Sequence, residues 1–154
     1  GTYNYKMDSK NRIPIPVSFR NYLIENFPDE EFILVAGLGK YLYLHPRSLW
    51  SKYSKRLKKK YFDANLRKWD TFFNAFSTPV NMDKQGRILV PDNLIKYAGL
   101  KENVIIVGNQ NWLELWSEES WNKFTEELIK SAESFDELDK MFRAMNIEES
   151  EEEK

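Results

Sequence analysis

Apolar and polar residues alternate in short segments along this chain, and these segments predict paired β-strands. Thr2–Met7 and Arg12–Ile15 flank one polar loop, and Val80–Met82 and Arg87–Val90 flank another. Short strands separated by a three-residue loop are typical of β-hairpins. A proline follows each pair of strands, and apolar residues then recur at helical spacing, which predicts a helix after each hairpin.

The elements that follow come in the same order in both halves of the chain. Phe32–Ala36 and Tyr41–Leu44 predict a further hairpin in the first half, and Asn103–Val107 and Trp112–Trp116 predict one in the second. Two helices with apolar stripes follow each of these hairpins. The stripes consist of Leu49, Tyr53, Leu57 and Tyr61; Leu66, Trp69, Phe73 and Phe76; Trp121, Phe124 and Leu128; and Phe135, Leu138, Phe142 and Met145. Agreement through so many consecutive elements indicates a duplicated domain.

One ten-residue motif shows the duplication most clearly. Its copies lie seventy-five positions apart and read Met7-Asp8-Ser9-Lys10-Asn11-Arg12-Ile13-Pro14-Ile15-Pro16 and Met82-Asp83-Lys84-Gln85-Gly86-Arg87-Ile88-Leu89-Val90-Pro91. Asn11 and Gly86 share one position and readily accept a positive φ, which predicts a type I turn closed by a left-handed residue. Asp8 and Asp83 begin the loops, where a carboxylate accepts hydrogen bonds from loop amides and rigidifies the turn.

The duplication predicts two domains and a tail. Residues 1–76 form the predicted first domain with its helices, residues 77–147 the second domain with its C-terminal helices, and residues 148–154 a disordered acidic tail. A half of fewer than about 80 residues makes only a marginal core. We therefore expect the halves to pair or the chain to oligomerise.

Charge is distributed unevenly, although the formal net charge is only −1. Residues 47–68 contain nine Lys or Arg residues and one acid, whereas residues 118–154 contain thirteen acids and five Lys or Arg residues. A basic region of this kind is sufficient to bind phosphates even though the net charge of the chain is close to zero. The basic helix that it includes is by default a solvated amphipathic face.

No apolar run approaches the length of about 18 residues that a membrane span requires, and no signal-peptide pattern opens the chain. We expect a soluble cytoplasmic protein that has no membrane partner.

Few residues are suited to catalysis or metal binding. The chain has no cysteine, and its only histidine, His45, stands beside a proline without an obvious set of partners. An arginine four residues after Asp8 and after Asp83 favours ionised carboxylates over a catalytic proton. We therefore expect no enzyme, no metal, no cofactor and no small-molecule substrate. A hydrolase would need the side chains of Asp8 and Asp83 close together in a cleft.

The two loops are the strongest candidates for function. Their polar residues are of the types that bond phosphates and guanine edges, namely Ser9, Lys10, Arg12, Lys84, Gln85 and Arg87. A single loop of this kind is an ordinary hairpin tip with solvated charges. Recurrence of Asp and Arg at the same spacing favours nucleic-acid recognition.

Several motifs resemble the MraZ family and together span almost the whole chain, up to its C-terminal helix and tail. They are Gly1-Thr2-Tyr3, the first loop motif with Phe19-Arg20, the second loop motif, Ala98-Gly99-Leu100, Val107-Gly108 and Glu114-Leu115-Trp116.

This resemblance implies an α+β fold of two pseudo-repeated AbrB-like swapped-hairpin β-barrel halves with flanking helices. It also implies a sequence-specific transcriptional regulator of the bacterial division and cell-wall gene cluster, which binds short G-rich direct repeats upstream of its own operon. The implied partners are double-stranded DNA and further copies of the chain in a ring homo-oligomer, and the implied location is cytoplasmic and nucleoid-associated. Carried over residue by residue, the DNA contacts fall on Lys10, Arg12, Lys84 and Arg87.

A second class of function is an AbrB-like antitoxin or assembly scaffold that acts mainly through a protein partner. Such antitoxins usually follow one DNA-binding half with a tail that wraps the partner. This chain has two predicted halves and a short acidic tail, so we rank this class second. Whether a regulator of this kind represses or activates is left open.

Overall fold

Two antiparallel sheets contain the strands of this protein. The computed structural model describes residues 1–60, 64–109 and 111–152. The described strands are β1 (Thr2–Lys6), β2 (Arg12–Pro14), β3 (Phe32–Ala36), β4 (Tyr41–Pro46), β5 (Ser77–Val80), β6 (Arg87–Leu89), β7 (Asn103–Gly108) and β8 (Leu113–Ser117). The described helices are α1 (Val17–Asn26), α2 (Arg47–Lys60), α3 (Ala64–Ala75), α4 (Asp92–Ala98), α5 (Glu118–Lys130) and α6 (Ala132–Glu152). The predicted mixture of helices and strands is confirmed, while Tyr61 of the predicted stripes lies outside the described residues.

Strands from the two halves of the chain are interleaved within the larger sheet. Its strand order is β1-β7-β8-β4-β3-β5, and β2 and β6 form a separate two-stranded sheet. β1 therefore pairs with β7, β3 with β5, and β2 with β6, each across the two halves. Because the two halves share strands in this way, they form one common core. A single half of this size would bury too little apolar surface to form a stable core by itself.

The sheet has a direct bearing on the predicted division into domains. Gly1–Ser120 form one compact unit, and a second unit begins at Trp121. The predicted boundary between residues 76 and 77 lies at the start of β5, inside the six-stranded sheet. The division into two domains at this point stays a prediction.

Alternation along the central strands directs every second side chain into a common core. Leu42 and Leu44 of β4, and Leu113 and Leu115 of β8, are each at most 1% exposed. The two-stranded sheet packs into the same core through Ile13 and Ile88, which belong to one hydrophobic cluster with these leucines. The loops that precede β2 and β6 are therefore attached to buried strands.

The helices after β2 and β6 begin directly after prolines, close to where the sequence predicts them. Pro16 and Pro91 are the residues immediately before the first turns of α1 and α4. A proline is compatible with this position because the amide it lacks would have no helical acceptor. Gly99 ends α4 in the left-handed conformation, with φ of 62°, which is the usual reason for a glycine at a helix C-terminus.

The second unit is helical and leaves many apolar side chains exposed. In the part of α5 from Trp121 onward and in α6, eight large apolar side chains are 43–67% exposed: Phe124, Leu128, Ile129, Phe135, Leu138, Met141, Phe142 and Met145. The predicted stripes on these helices thus lie at the surface of the chain. None of the described helices is both long and apolar enough to cross a membrane.

The end of α6 overlaps the tail that we predicted to be disordered from residue 148. The helix extends through Glu152, and the disorder of the tail stays a prediction. Glutamate is a good helix former and extends a helix that has already been nucleated. Residues 153 and 154 of the predicted tail lie outside the described residues.

Replacing Ile88 with alanine should destabilise the protein strongly, because this side chain is 0% exposed in the core under the second loop. We expect the free energy of unfolding in urea to fall by about 2–5 kcal/mol, the usual loss when a buried isoleucine or leucine becomes alanine. Leu89→Ala is the matched control, since Leu89 is the next residue of β6 and is 58% exposed. Equal losses in the two variants would contradict the inward orientation of Ile88.

Candidate nucleic-acid interface

The first loop, residues 8–12, is organised by the carboxylate of Asp8. Asp8 Oδ1 accepts hydrogen bonds from the backbone N–H groups of Lys10 and Arg12, both at 2.9 Å. Asp8 Oδ2 accepts a third hydrogen bond from Arg12 Nε, also at 2.9 Å. One side chain thereby holds both the turn and the arginine that leaves it.

The second loop, residues 83–87, repeats this arrangement atom for atom. Asp83 Oδ1 accepts hydrogen bonds from the backbone N–H groups of Gln85 and Arg87 at 2.9 Å. Arg87 Nε donates to Asp83 Oδ2 at 2.9 Å. The repeated sequence pattern thus corresponds to a repeated pattern of hydrogen bonds.

Both loops close through a residue in the left-handed conformation. The φ angles are 60° at Asn11 and 75° at Gly86. Their backbone N–H groups donate to the carbonyl oxygens of Asp8 and Asp83, at 3.1 and 3.0 Å. Asparagine and glycine are the residue types that occupy this conformation with least strain, so each loop has a suitable residue at its tightest point.

The antiparallel pairing of β2 and β6 brings the two loops side by side. The N–H of Ile15 donates to the carbonyl oxygen of Gly86, and the N–H of Val90 donates to that of Asn11, both at 2.9 Å. These reciprocal hydrogen bonds connect the base of each strand to the tip of the other loop. Arg87 Nη1 also lies 3.6 Å from Asp8 Oδ2, so an ion pair joins the loops in addition to the backbone hydrogen bonds.

The predicted DNA-binding residues therefore occupy one region of the surface. Lys10 and Lys84 are exposed at the two loops. The side chains of Arg12 and Arg87 are 32% and 25% exposed. Each arginine is held at Nε by its own aspartate. The donors suited to a base edge or a phosphate are then the terminal NH₂ groups of Arg12 and, because Arg87 Nη1 lies near Asp8, chiefly Nη2 of Arg87.

Hydrogen bonding keeps both loop carboxylates ionised. The backbone N–H of Arg12 is the main cause that lowers the pKa of Asp8, and desolvation partly opposes it. The backbone N–H of Arg87 lowers the pKa of Asp83 in the same way. A carboxyl group with a lowered pKa is a poor proton donor near neutral pH. Arg87 contacts the carboxylates of both Asp8 and Asp83. The oxygens of both carboxylates also accept hydrogen bonds from loop amides and arginine Nε groups.

His45 lies in an aromatic cluster rather than in a polar site. It is 6% exposed, and its ring centroid lies 5.3–6.2 Å from those of Tyr43, Trp50, Tyr53 and Trp112. Burial lowers the pKa of His45 to about 4. Among the described residues, no group of three or more His, Cys, Asp or Glu side chains is arranged to hold a metal ion.

Arg20 belongs to a motif that carries the family resemblance, but it was not among the predicted site residues. It lies in α1, and its guanidinium covers Gly86 so closely that a Cβ there would overlap Nη1 and lie 2.6 Å from Cζ. A comparison of the repeats contains a signal for this contact. In the alignment of the repeats, Arg20 corresponds to Ile95, and Gly86 corresponds to Asn11. The loop that Arg20 contacts therefore has a glycine, and the loop of the other repeat, which lacks such an arginine, has an asparagine.

Comparison with known proteins identifies the family. The model of the MraZ protein family, which is described as antitoxin-like, matches residues 1–73 and 71–144. This chain belongs to the MraZ family. The resemblance that we inferred from the loop motifs is thereby confirmed. Each MraZ segment contains one of the two loops, so the family pattern occurs once in each repeat.

Named relatives cover most of the chain. The transcriptional regulator MraZ of Clostridium acetobutylicum is 40% identical over 130 residues, which are 84% of this chain and 88% of that protein. The transcriptional regulator MraZ of Clostridium tetani is 38% identical over 127 residues, 82% of this chain and 86% of the relative. The one from Halothermothrix orenii is 38% identical over 139 residues, 90% of this chain and 92% of the relative.

The contribution of the Asp83 carboxylate should disappear in acid. Because its folded-state pKa is lowered, its stabilising effect is complete above the ordinary pKa of about 3.9 and is lost as the pH falls through the lower folded value. Asp83→Asn should therefore melt at a lower temperature than the unchanged protein near neutral pH, and the difference should shrink below about pH 4.

Asp136→Asn is a suitable control for this titration, since it removes an exposed carboxylate from α6. Melting temperatures of the three proteins, measured over the same pH series, provide the comparison. A difference between Asp83→Asn and the unchanged protein that stays constant into strong acid would contradict the ionic role of Asp83.

Proposed function

We propose that this chain is a transcriptional regulator that binds double-stranded DNA through its two Asp-x-x-x-Arg loops. The observation that carries the proposal is the pair of identically bonded loops, side by side, each holding an arginine next to an exposed lysine. The MraZ relatives are named as transcriptional regulators, which supports the regulatory role.

The chemistry of the loops fits DNA better than a small-molecule substrate. Arginine is suited to bidentate binding of guanine O6 and N7, and lysine to phosphate oxygens. Asp8, Asn11, Asp83 and Gly86 set the shapes of the loops and do not contact DNA themselves. Because the loops are already ordered by internal hydrogen bonds, binding loses less conformational entropy than it would with flexible loops.

We infer a target and a location from the family. The expected operator is a set of short G-rich direct repeats upstream of the chain's own operon, within the bacterial division and cell-wall gene cluster. The expected location is the cytoplasm, in association with the nucleoid. We also interpret the interleaved strands as two AbrB-like halves of the swapped-hairpin barrel type, since β2 and β6 exchange partners across the repeats.

Self-association into a ring is part of the proposal. Several large apolar side chains of α5 and α6 are exposed, and exposed apolar surface of this kind marks a site of protein–protein contact. These helices are acid-rich, whereas residues 47–68 are basic. Opposite charges on two different segments favour a head-to-tail contact, and such contacts form a ring when the rotation between neighbouring subunits closes. Several bound subunits then multiply weak single-site affinities through effective concentration.

A protein partner is the second candidate for the exposed helical surface. The family description as antitoxin-like and the apolar side chains of α6 favour it. A stoichiometric second protein that copurifies from the native host and is displaced by substitutions in α6 would support this function over self-association.

Replacing Arg12 or Arg87 with alanine should abolish specific DNA binding and leave the fold intact. If each arginine binds guanine with two hydrogen bonds, each site loses about 1–3 kcal/mol of binding free energy. Footprinting on DNA upstream of the protein's own gene provides the measurement. Arg143→Ala is the control, because Arg143 is an exposed arginine of α6. Footprints of both loop variants that match that of the unchanged protein would overturn the proposed function.

The protein should be larger than a dimer in solution, and a charge placed in the apolar surface of α6 should dissociate it. We expect light scattering at micromolar concentration to report a lower mass for Phe142→Asp, since Phe142 is 55% exposed and an aspartate there would be desolvated in the contact. Lys140→Asp is the control, as it alters an exposed polar position of the same helix. A monomeric unchanged protein would rule out the ring.

A further inference from the structure

The side chain of Arg20 lies against the backbone of the second loop. Gly86 is buried and has φ of 75°. A Cβ at this residue would overlap Arg20 Nη1 and lie 2.6 Å from Cζ and 2.9 Å from Cδ. The guanidinium therefore occupies the space that a side chain at residue 86 would fill, directly beside the loop that carries Lys84 and Arg87.

The charge of Arg20 is unpaired within the described part of the chain. Arg12 and Arg87 each bind an aspartate through Nε, whereas the buried Nε of Arg20 has no hydrogen-bond acceptor among the described residues. No carboxylate of the described residues forms an ion pair with it either. A guanidinium that is partly withdrawn from water without an anion is a ready site for one.

The first loop has no equivalent of this group. The repeats align Phe19 with Leu94, so Arg20 corresponds to Ile95. At the loop position itself, Asn11 stands where the second loop has Gly86, and Asn11 Nδ2 donates to Asp92 Oδ1 at 3.4 Å. The two loops thus have the same internal hydrogen bonds, but only the second loop has an arginine of the neighbouring helix beside it.

We propose that Arg20 binds a backbone phosphate of the DNA that the second loop contacts, and that the second loop is therefore the stronger anchor of the two. The inference rests on the proposed function. Arg20 reaches the loop from α1, in the opposite repeat, so the contact joins the two halves of the chain at the DNA surface. The phosphate accepts hydrogen bonds from the terminal NH₂ groups of Arg20 and balances its charge, while Nε stays buried.

An unequal pair of loops has a consequence for orientation. The reciprocal hydrogen bonds of Ile15 with Gly86 and of Val90 with Asn11 make the loop pair locally two-fold in its backbone. Two equivalent loops would bind a DNA site equally well in either direction. An added phosphate contact at one loop favours a single direction, as an array of direct repeats requires.

The salt dependence of DNA binding tests the phosphate contact. The probe is a labelled duplex of mixed sequence, because a phosphate contact does not depend on the bases. For Arg20→Gln we expect the slope of log affinity against log salt to fall by about one for each chain bound. Arg20→Lys should retain the slope, since it keeps the charge. Lys40→Gln is the matched control, because it removes the same charge from an exposed position between β3 and β4.

The contact with Gly86 supplies a second, independent test. Gly86→Ala pushes the guanidinium of Arg20 away. Asn11→Ala puts an alanine at a similar positive φ in the loop that has no such arginine, and it also removes the 3.4 Å hydrogen bond to Asp92. We expect Gly86→Ala to reduce the slope more than Asn11→Ala does. This excess should vanish when Arg20 is already glutamine.

Each outcome is decisive. A slope for Arg20→Gln that equals that of the unchanged protein overturns the inference. A lower affinity at every salt concentration with an unchanged slope and a lower melting temperature also overturns it, because Arg20 would then only support the loop. If the unchanged protein binds no duplex at all, the proposed function itself fails, which is a result distinct from either of these.

Discussion

The reciprocal backbone hydrogen bonds between the two loops are the constraint on which the rest of the surface depends. The N–H of Ile15 donates to Gly86, and the N–H of Val90 donates to Asn11. Their geometry is set by the pairing of β2 with β6, in which Ile13 and Ile88 face each other and are both 0% exposed. Because the strands cannot slip without exposing these side chains, the spacing of the loops is determined by the core.

Within this frame, each loop controls its own shape. The carboxylates of Asp8 and Asp83 bind two amides and one guanidinium each, and these contacts need nothing from the rest of the fold. The core thus sets where the loops are, and the aspartates set how the arginines leave them. Binding surfaces that are ordered in advance lose less entropy when a partner arrives, which suits a protein proposed to use several small contacts at once.

The helices of the second unit offer a different kind of surface, which is rich in exposed apolar side chains. Their apolar side chains remain half exposed, so this part of the chain gains little from burial within a single copy. A MraZ chain that binds one DNA site weakly would benefit from an assembly that presents many loops together. In the proposed function the loops serve recognition and the exposed helices serve association, so substitutions in one need not disturb the other.

The sequence alone was sufficient for the features that depend on residues close together in the chain. The hydrogen bonds of Asp8 and Asp83 reach residues two and four positions away, the helices begin after Pro16 and Pro91, and the left-handed residues follow from their types, so the repeated pattern predicts each of them. The family also followed from these local motifs.

Tertiary structure alone decided the pairing of β1 with β7, the contact of Arg20 with Gly86, and the exposure of the α5 and α6 stripes. These features join residues far apart in the chain, and an apolar stripe has the same periodicity whether it faces its own core or solvent. Only the complete set of packing partners distinguishes the two cases.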